Sequence, residues 1–258
     1  IQDLLDRDII IPKKNLLGPD IHNNVVCITG AGGSIGTELC RQIIKLRPKL
    51  LILFEMSEVA LFQIHKELIN NFSEINPIQI KCILGSVLNE NLVMQTFINY
   101  KVDVVFHAAA YKHVPLVQDN PLSGLLNNIF STKVLCDCAS KANLKKFVLI
   151  SSDKAVRPTN IMGISKRISE LVVQVYSDES KKKSLSRKKD YTNFLMVRFG
   201  NVLNSSGSVV PLFKEQISKG GPITLTHPKV IRYFMTIPEA AQLVIQASTL
   251  SKGGEVFL

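Results

Sequence analysis

Short runs of consecutive apolar, often β-branched residues alternate along the chain with longer segments whose apolar positions recur every three to four residues. The runs predict buried strands at Val25 to Thr29, Leu50 to Phe54, Ile78 to Leu84, Val102 to His107 and Phe147 to Ser151. The periodic segments predict helices at Ile35 to Leu46, Glu58 to Leu68, Leu92 to Asn99 and Leu122 to Ala142. Strand and helix alternating in this way imply βαβ units, and uninterrupted apolar strands imply a sheet covered on both faces. The predicted fold class is therefore α/β, a Rossmann-like doubly wound parallel sheet.

Beyond Ser151 the pattern loosens. A helix is predicted from about Met162 to Tyr176, a strand at Phe194 to Val197 and a helix at about Pro238 to Leu250, joined by Gly-, Ser- and Pro-rich connections. Residues 21–190 read as the dinucleotide-binding domain, and residues 191–258 as a small substrate-binding lobe with returning sheet strands. Residues 1–20 read as a lead-in from a longer parent, because the chain opens Ile1-Gln2-Asp3-Leu4 and stops on the strand-like Gly253-Gly254-Glu255-Val256-Phe257-Leu258.

Composition narrows the class. With 46% hydrophobic residues over 258 positions the chain can bury one sizeable core, which excludes disorder and a disulfide mini-protein. No apolar run approaches the roughly 18 residues that span a bilayer, so membrane contact is expected only through segments outside this sequence. The formal net charge of +10 admits an anionic partner. Much of it gathers in Lys181, Lys182, Lys183, Arg187, Lys188 and Lys189, which lack apolar periodicity and read as a solvated loop. A membrane-surface contact is the alternative; nucleic acid is not expected, since no aromatics are interleaved for stacking. Cys27, Cys40, Cys82, Cys136 and Cys138 show no metal-ligand spacing and fit a reducing compartment. His22, His65 and His227 likewise suggest no metal and read as structural or surface residues.

Chemistry first shows at Thr29-Gly30-Ala31-Gly32-Gly33-Ser34-Ile35-Gly36, which leaves the first strand and opens the first helix. Gly30, Gly33 and Gly36 allow a tight turn, close approach to a pyrophosphate and helix–strand packing, while Ser34 and Ile35 start a helix whose free N–H groups attract an anion. Glu55 closes the second strand, where an acid can meet the adenosine ribose; a carboxylate there favours NAD over NADP, whose 2′-phosphate it repels. It can equally be a solvated strand-end acid.

A second candidate follows the fifth strand, in Ser151-Ser152-Asp153-Lys154-Ala155-Val156-Arg157-Pro158-Thr159-Asn160-Ile161-Met162-Gly163-Ile164-Ser165-Lys166. A carboxylate beside an ammonium at a strand end can work as an acid/base pair. Taken alone, Asp153-Lys154 is more often a surface ion pair.

Together with His107-Ala108-Ala109-Ala110-Tyr111-Lys112-His113-Val114-Pro115 and Arg198-Phe199-Gly200-Asn201-Val202-Leu203, these segments resemble the extended short-chain dehydrogenase/reductase superfamily. Within it they are similar to the nucleotide-sugar 4,6-dehydratases of bacterial polysaccharide and glycan biosynthesis, whose usual substrate is UDP-N-acetylglucosamine. The resemblance covers nearly the whole chain, including Asp3-Leu4-Leu5-Asp6-Arg7-Asp8, which is similar to the segment preceding the catalytic domain in large membrane-anchored members. It implies a cytoplasmic catalytic domain.

It further implies that Gly30, Gly33, Ser34, Ile35, Gly36, Glu55, Ser86, Val87, Ala108, Ala109 and Lys166 bind NAD, and that Tyr111, Lys112, Asn201 and Arg232 bind the UDP-sugar. Met162 stands where most of the superfamily has Tyr, four residues before Lys166. Methionine moves no proton, so the resemblance to dehydratases that also carry Met gives acid/base work to Asp153 and Lys154. The implied reaction oxidises sugar C4; Lys154 then takes the C5 proton, Asp153 assists loss of the C6 hydroxyl as water, and hydride returns to C6. Ser152 with a water is the candidate acceptor of the C4 hydroxyl proton. These roles need a neutral amine and a protonated carboxyl, which burial under substrate favours.

The chain departs from the family pattern at Ser86, where Asp is usual, and at Ser206, where Arg is usual. A 4-epimerase on the same fold and a non-catalytic NAD or nucleotide-sugar binding protein remain as alternatives. The helices at about Leu122 to Ala142 and Met162 to Tyr176 are where superfamily members commonly pair, so a homo-oligomer is implied by analogy.

Overall fold

The computed structural model describes residues 5, 7–72, 79–187, 191–205, 209–225, 227, 229 and 232–258. All five residues of β1 (Val25–Thr29) are buried, and period-2 geometry sends them alternately to two cores. Val26 and Ile28 join one core, shared with Leu39 and Ile43 of α1 (Ser34–Lys45), Leu61 and Ile64 of α2 (Glu58–Phe72), and Val244 and Ile245 of α9 (Ile237–Leu250). Val25 and Cys27 join the other, with Phe97 of α3 (Glu90–Tyr100), Leu135 and Ala139 of α6 (Ser131–Lys141), and Val173 of α7 (Ile161–Arg187). At about 1.5–3 kcal/mol per fully buried large side chain, these two layers are the main force holding the sheet.

Seven parallel strands make the sheet, in the order β3-β2-β1-β4-β5-β6-β9. The others are β2 (Leu50–Glu55), β3 (Gln79–Leu84), β4 (Val104–His107), β5 (Lys146–Ile150), β6 (Asn193–Val197) and β9 (Val256–Phe257). From β1 the chain first builds outward to β3, then returns and builds the other way from β4. That reversal opens a crevice at the carboxyl ends of β1 and β4, where open α/β sheets bind ligands.

The predicted core helices and strands are present, with differences that have physical causes. The segment read as one helix from Leu122 is broken: α4 (Val114–Asp119) and α5 (Pro121–Leu125) lead into a π-helical turn at Leu126–Phe130 before α6. The basic run is not a loop, since α7 continues through Lys181, Lys182 and Lys183 to Arg187. Lys and Arg are good helix formers, and a helix already nucleated by packing needs no apolar face to go on. Lys188, Lys189 and Ser206 lie outside the described residues. Between β6 and α9 the structure adds α8 (Val209–Ser218) and a two-stranded parallel ribbon of β7 (Asn201–Val202) and β8 (Phe234–Met235), where only connections were expected.

The N-terminal segment runs along α9. Lys13 N–H donates to Gln246 Oε1 at 2.9 Å, Thr249 Oγ1 donates to the Leu16 carbonyl at 2.9 Å, and Lys146 Nζ pairs with Asp20 Oδ2 at 2.6 Å. Among the described residues no helix is long and apolar enough to cross a membrane.

Candidate functional site

Two chambers occupy the crevice and share Gly33, Ala108, Ala110 and Tyr111 as a common wall. The smaller, about 310 Å³, is lined by Gly30, Gly33, Glu55, Ser86, Val87, Ala108 and Ala109, all expected on the nucleotide side. The larger, about 680 Å³, takes Ser34, Ile35, Gly36, Tyr111, Lys112, Ser152, Lys154, Met162, Lys166 and Asn201. Sequence positions 30 to 201 thus meet in one cleft.

The glycine loop is shaped by close approach. Gly30 has φ +68°, and a Cβ there would sit 2.7 Å from the Ala109 backbone; a Cβ on Gly36 would meet the Gly30 carbonyl oxygen at 2.0 Å. Gly33 is the N-cap of α1 and has no side chain to fill the space before the helix. A bare helix N-terminus facing a cleft fits the diphosphate of a dinucleotide. Glu55, only 9% exposed, accepts from Gly32 N–H at 3.0 Å and from Met56 and Ser57 N–H at 2.9 and 3.0 Å. Its carboxylate braces the loop from the chamber wall, which fits a ribose hydroxyl donor as well.

The floor of the larger chamber is buried. Lys166 donates to the Ile150 carbonyl at 3.0 Å, and burial lowers its pKa to about 8 even though Glu170 pulls it upward. Met162, one turn before it, is 3% exposed and packs in the wall. Ser151 Oγ donates to Glu170 Oε1 at 2.6 Å; Glu170 also receives Arg198 at 2.7 and 2.6 Å and Arg167 at 3.1 Å. Burial alone would raise the Glu170 carboxyl, but these donors outweigh it and hold it below its ordinary value. Below the sheet ends, His107 bridges Thr29 and Thr132 at 2.8 and 3.2 Å. Burial, aided by the charge of Lys166, drives that ring's pKa down to about 3.

At the mouth, Ser152 caps the short 3-10 turn Asp153–Ala155, its Oγ accepting from Lys154 N–H. That turn sets Lys154 Nζ 3.0 Å from Asp153 Oδ1 and 3.2 Å from Asn201 Oδ1. The Asp153 side chain is 47% exposed and stands beside the chamber rather than among its lining residues. Lys112 lines the rim and is exposed as a whole residue, yet desolvation of its ammonium lowers its pKa. Arg232 is exposed and lines neither chamber, so the structure does not bring it to the cluster.

Sequence reasoning missed Asn128, 2% exposed at the π-helical turn. Its side chain accepts from Tyr111 N–H at 2.8 Å, and its amide donates to the Tyr111 carbonyl at 3.0 Å and to Ser165 Oγ at 2.8 Å. It thereby ties the chamber's rim loop to α7. An irregular turn that aims a buried amide often marks a functional site, but only the polar Asn127-Asn128 pair inside an apolar pattern hinted at it.

Residues 26–258 match the sequence profile of a family described as "Polysaccharide biosynthesis protein". The chain is 45% identical over 258 residues to "Capsular polysaccharide biosynthesis protein CapD" of Staphylococcus aureus, covering 100% of this chain and 41% of that protein. It is 31% identical to a "UDP-glucose 4-epimerase" of Rickettsia canadensis, covering 92% of this chain and 66% of the relative. The chain thus spans about two fifths of the length of the capsular relative. Among solved structures, Pen from Bacillus thuringiensis superposes with TM-score 0.81 at 34% identity, covering 92% of this chain and 71% of that one. The dTDP-glucose 4,6-dehydratase DesIV of Streptomyces venezuelae, with NAD bound, shares the fold with TM-score 0.75 at 18% identity, covering 90% of this chain and 74% of its own.

Proposed function

Because the chain belongs to the polysaccharide biosynthesis protein family, of the extended short-chain dehydrogenase/reductase type, we propose that it is a NAD-dependent lyase that removes water from a UDP-N-acetylhexosamine, UDP-N-acetylglucosamine first among them. The product is a 4-keto-6-deoxy sugar nucleotide for surface polysaccharide or glycan synthesis. One observation carries the choice of dehydration: the hydrogen-bonded Lys154–Asp153 pair at the mouth of the larger chamber.

NAD, when bound, supplies removal of hydride from sugar C4 and its return to C6. Gly30, Gly33, Ser34, Ile35 and Gly36 hold the diphosphate, Glu55 the adenosine ribose, Ser86, Val87, Ala108 and Ala109 the adenine side, and Lys166 the nicotinamide ribose. Glu55 at this place favours NAD over NADP by charge.

Lys154 Nζ donates to Asp153 Oδ1 at 3.0 Å, and the proposed chemistry uses the pair as amine and acid, the proton having passed along that bond. Once C4 is a ketone the C5 proton is acidic; Lys154 takes it, and Asp153 gives its own proton to the departing C6 hydroxyl. Water leaves and the ion pair is restored; as hydride returns to C6, Lys154 gives the proton back to C5, and the proton taken from the C4 hydroxyl passes to Asp153, returning the pair to amine and acid. Ser152 with a water accepts the C4 hydroxyl proton, since Met162 cannot. Asn201 and Arg232 hold the UDP diphosphate and Tyr111 and Lys112 line the sugar; for the exposed Arg232 this requires substrate to extend beyond the chamber.

The Rickettsia relative named as a 4-epimerase favours a second reading, in which hydride returns to C4 without elimination. Incubating the chain with UDP-N-acetylglucosamine and NAD and weighing the sugar nucleotide separates them. Loss of one water supports the dehydratase, an unchanged mass with a new isomer supports the epimerase, and untouched substrate refutes both for this sugar.

A further inference from the structure

Arg7 lies 232 positions before the residue it grips most firmly. Its guanidinium donates to Glu239 Oε1 at 2.9 Å and Oε2 at 3.3 Å, and to the Phe234 carbonyl at 3.2 Å. Glu239, whose side chain is 1% exposed, completes a capping box with Thr236 at the start of α9 and accepts from Ile10 N–H at 2.9 Å. Burial would raise this carboxyl, but the donors from Arg7, Thr236 and Ile10 outweigh it and hold its pKa at about 2.

The other end of the contact matters more. Phe234 is the register partner of Asn201 in the β7–β8 ribbon, and Asn201 is the residue against which Lys154 Nζ rests. The ribbon has two residues on each strand, closed by Asn201 N–H to the Tyr233 carbonyl at 3.1 Å and Leu203 N–H to the Met235 carbonyl at 2.8 Å. So small an isolated ladder has little stability of its own and needs an outside anchor. Arg7 supplies one, fastening β8 and the cap of α9 at once.

We propose that Arg7 is a positioning residue of the chemical site: by holding Phe234 and Glu239 together it fixes the β7–β8 ribbon and so keeps Asn201 against Lys154. The kinetic part of this rests on the dehydratase reading; the grip on the ribbon does not. A brace for α9 alone would leave both Asn201 and turnover untouched.

The test compares Arg7→Ala, Arg7→Lys and Glu239→Gln with the unaltered chain by amide hydrogen exchange, NAD affinity, and kcat and KM for UDP-N-acetylglucosamine well below each variant's melting temperature. Arg7→Ala is expected to speed exchange at the Asn201 and Leu203 amides roughly tenfold while β1 amides keep their protection. The kcat should fall about tenfold or more through misplacement of Lys154, with NAD affinity unchanged. Arg7→Lys should recover part of both losses, and Glu239→Gln should show the same pattern more weakly. Unchanged exchange at Asn201 and Leu203 overturns the proposal, and so does faster exchange with unchanged kcat. If the unaltered chain dehydrates nothing, the dehydratase reading fails, and Arg7 is decided by exchange together with the affinity for UDP-N-acetylglucosamine, which Arg7→Ala must weaken.

Discussion

The nucleotide side and the chemical side of the cleft are built by different means. Around the smaller chamber the loop leaves the fully buried strand β1, is fixed by backbone approach at Gly30 and Gly36, and is braced by Glu55 through the Gly32 N–H, while the same carboxylate also accepts from Met56 and Ser57 N–H. Around the mouth of the larger chamber the parts are a three-residue turn, a two-residue ribbon and an exposed carboxylate, joined by side-chain bonds to partners far away in sequence. The first region is preorganised by its core, the second by polar tethers. Substitutions on the nucleotide side should therefore cost stability and cofactor affinity together, and those at the mouth should cost turnover alone.

The largest expected effect breaks the two apart. Lys154→Ala should lower dehydration by roughly 10²- to 10⁴-fold yet leave NAD affinity measured by calorimetry unchanged; a parallel loss of NAD binding would mean the two regions are one unit. Next comes acid. His107 has its pKa held at about 3 against an ordinary 6.5, so the unfolded chain takes up that proton first. Stability from the neutral ring is present above pH 6.5 and drains away as pH falls toward 3. Urea unfolding between those limits should reveal on the order of 3–5 kcal/mol from this group, and His107→Gln should flatten the slope.

Gly36→Ala should destabilise by about 1–3 kcal/mol through overpacking against the Gly30 carbonyl, read as a lower melting temperature and weaker NAD binding. The smallest effect sharpens the comparison. Glu55→Gln keeps an acceptor for the loop but loses its charge, so NAD should bind roughly tenfold more weakly, with the gap to NADP narrowed in a competition titration.

The nucleotide side was the more legible of the two in the sequence, for the same reason that it is rigid. Apolar runs and glycine spacing are local signals that single out Gly30 and the strand-end Glu55, and both line the smaller chamber beside Ser86, Val87 and Ala108, which only the family resemblance names. Lys154 and Asn201 could be named from motifs, but their contact at 3.2 Å comes from tertiary packing. The β7–β8 ribbon is too short to leave a periodic trace, and the π-helical turn carrying Asn128 is masked by a continuing helical pattern. The helical basic run shows the converse error, since Lys181, Lys182 and Lys183 lack an apolar stripe because that part of α7 no longer lies on the sheet's core. Arg7 stands out in the sequence only within the Asp3-to-Asp8 segment of the family resemblance, and its grip on Glu239 and Phe234 comes from tertiary packing.

Because the two chambers share Gly33, Ala108, Ala110 and Tyr111, a dinucleotide reaching into both would be held as by a bivalent receptor. A dinucleotide seated in both is released only when both ends let go within the same moment, because a freed end stays at high effective concentration beside its own chamber. Residence is thus lengthened without any new contact. For chemistry in which hydride must come back from the molecule that took it, a long stay is worth more than quick exchange.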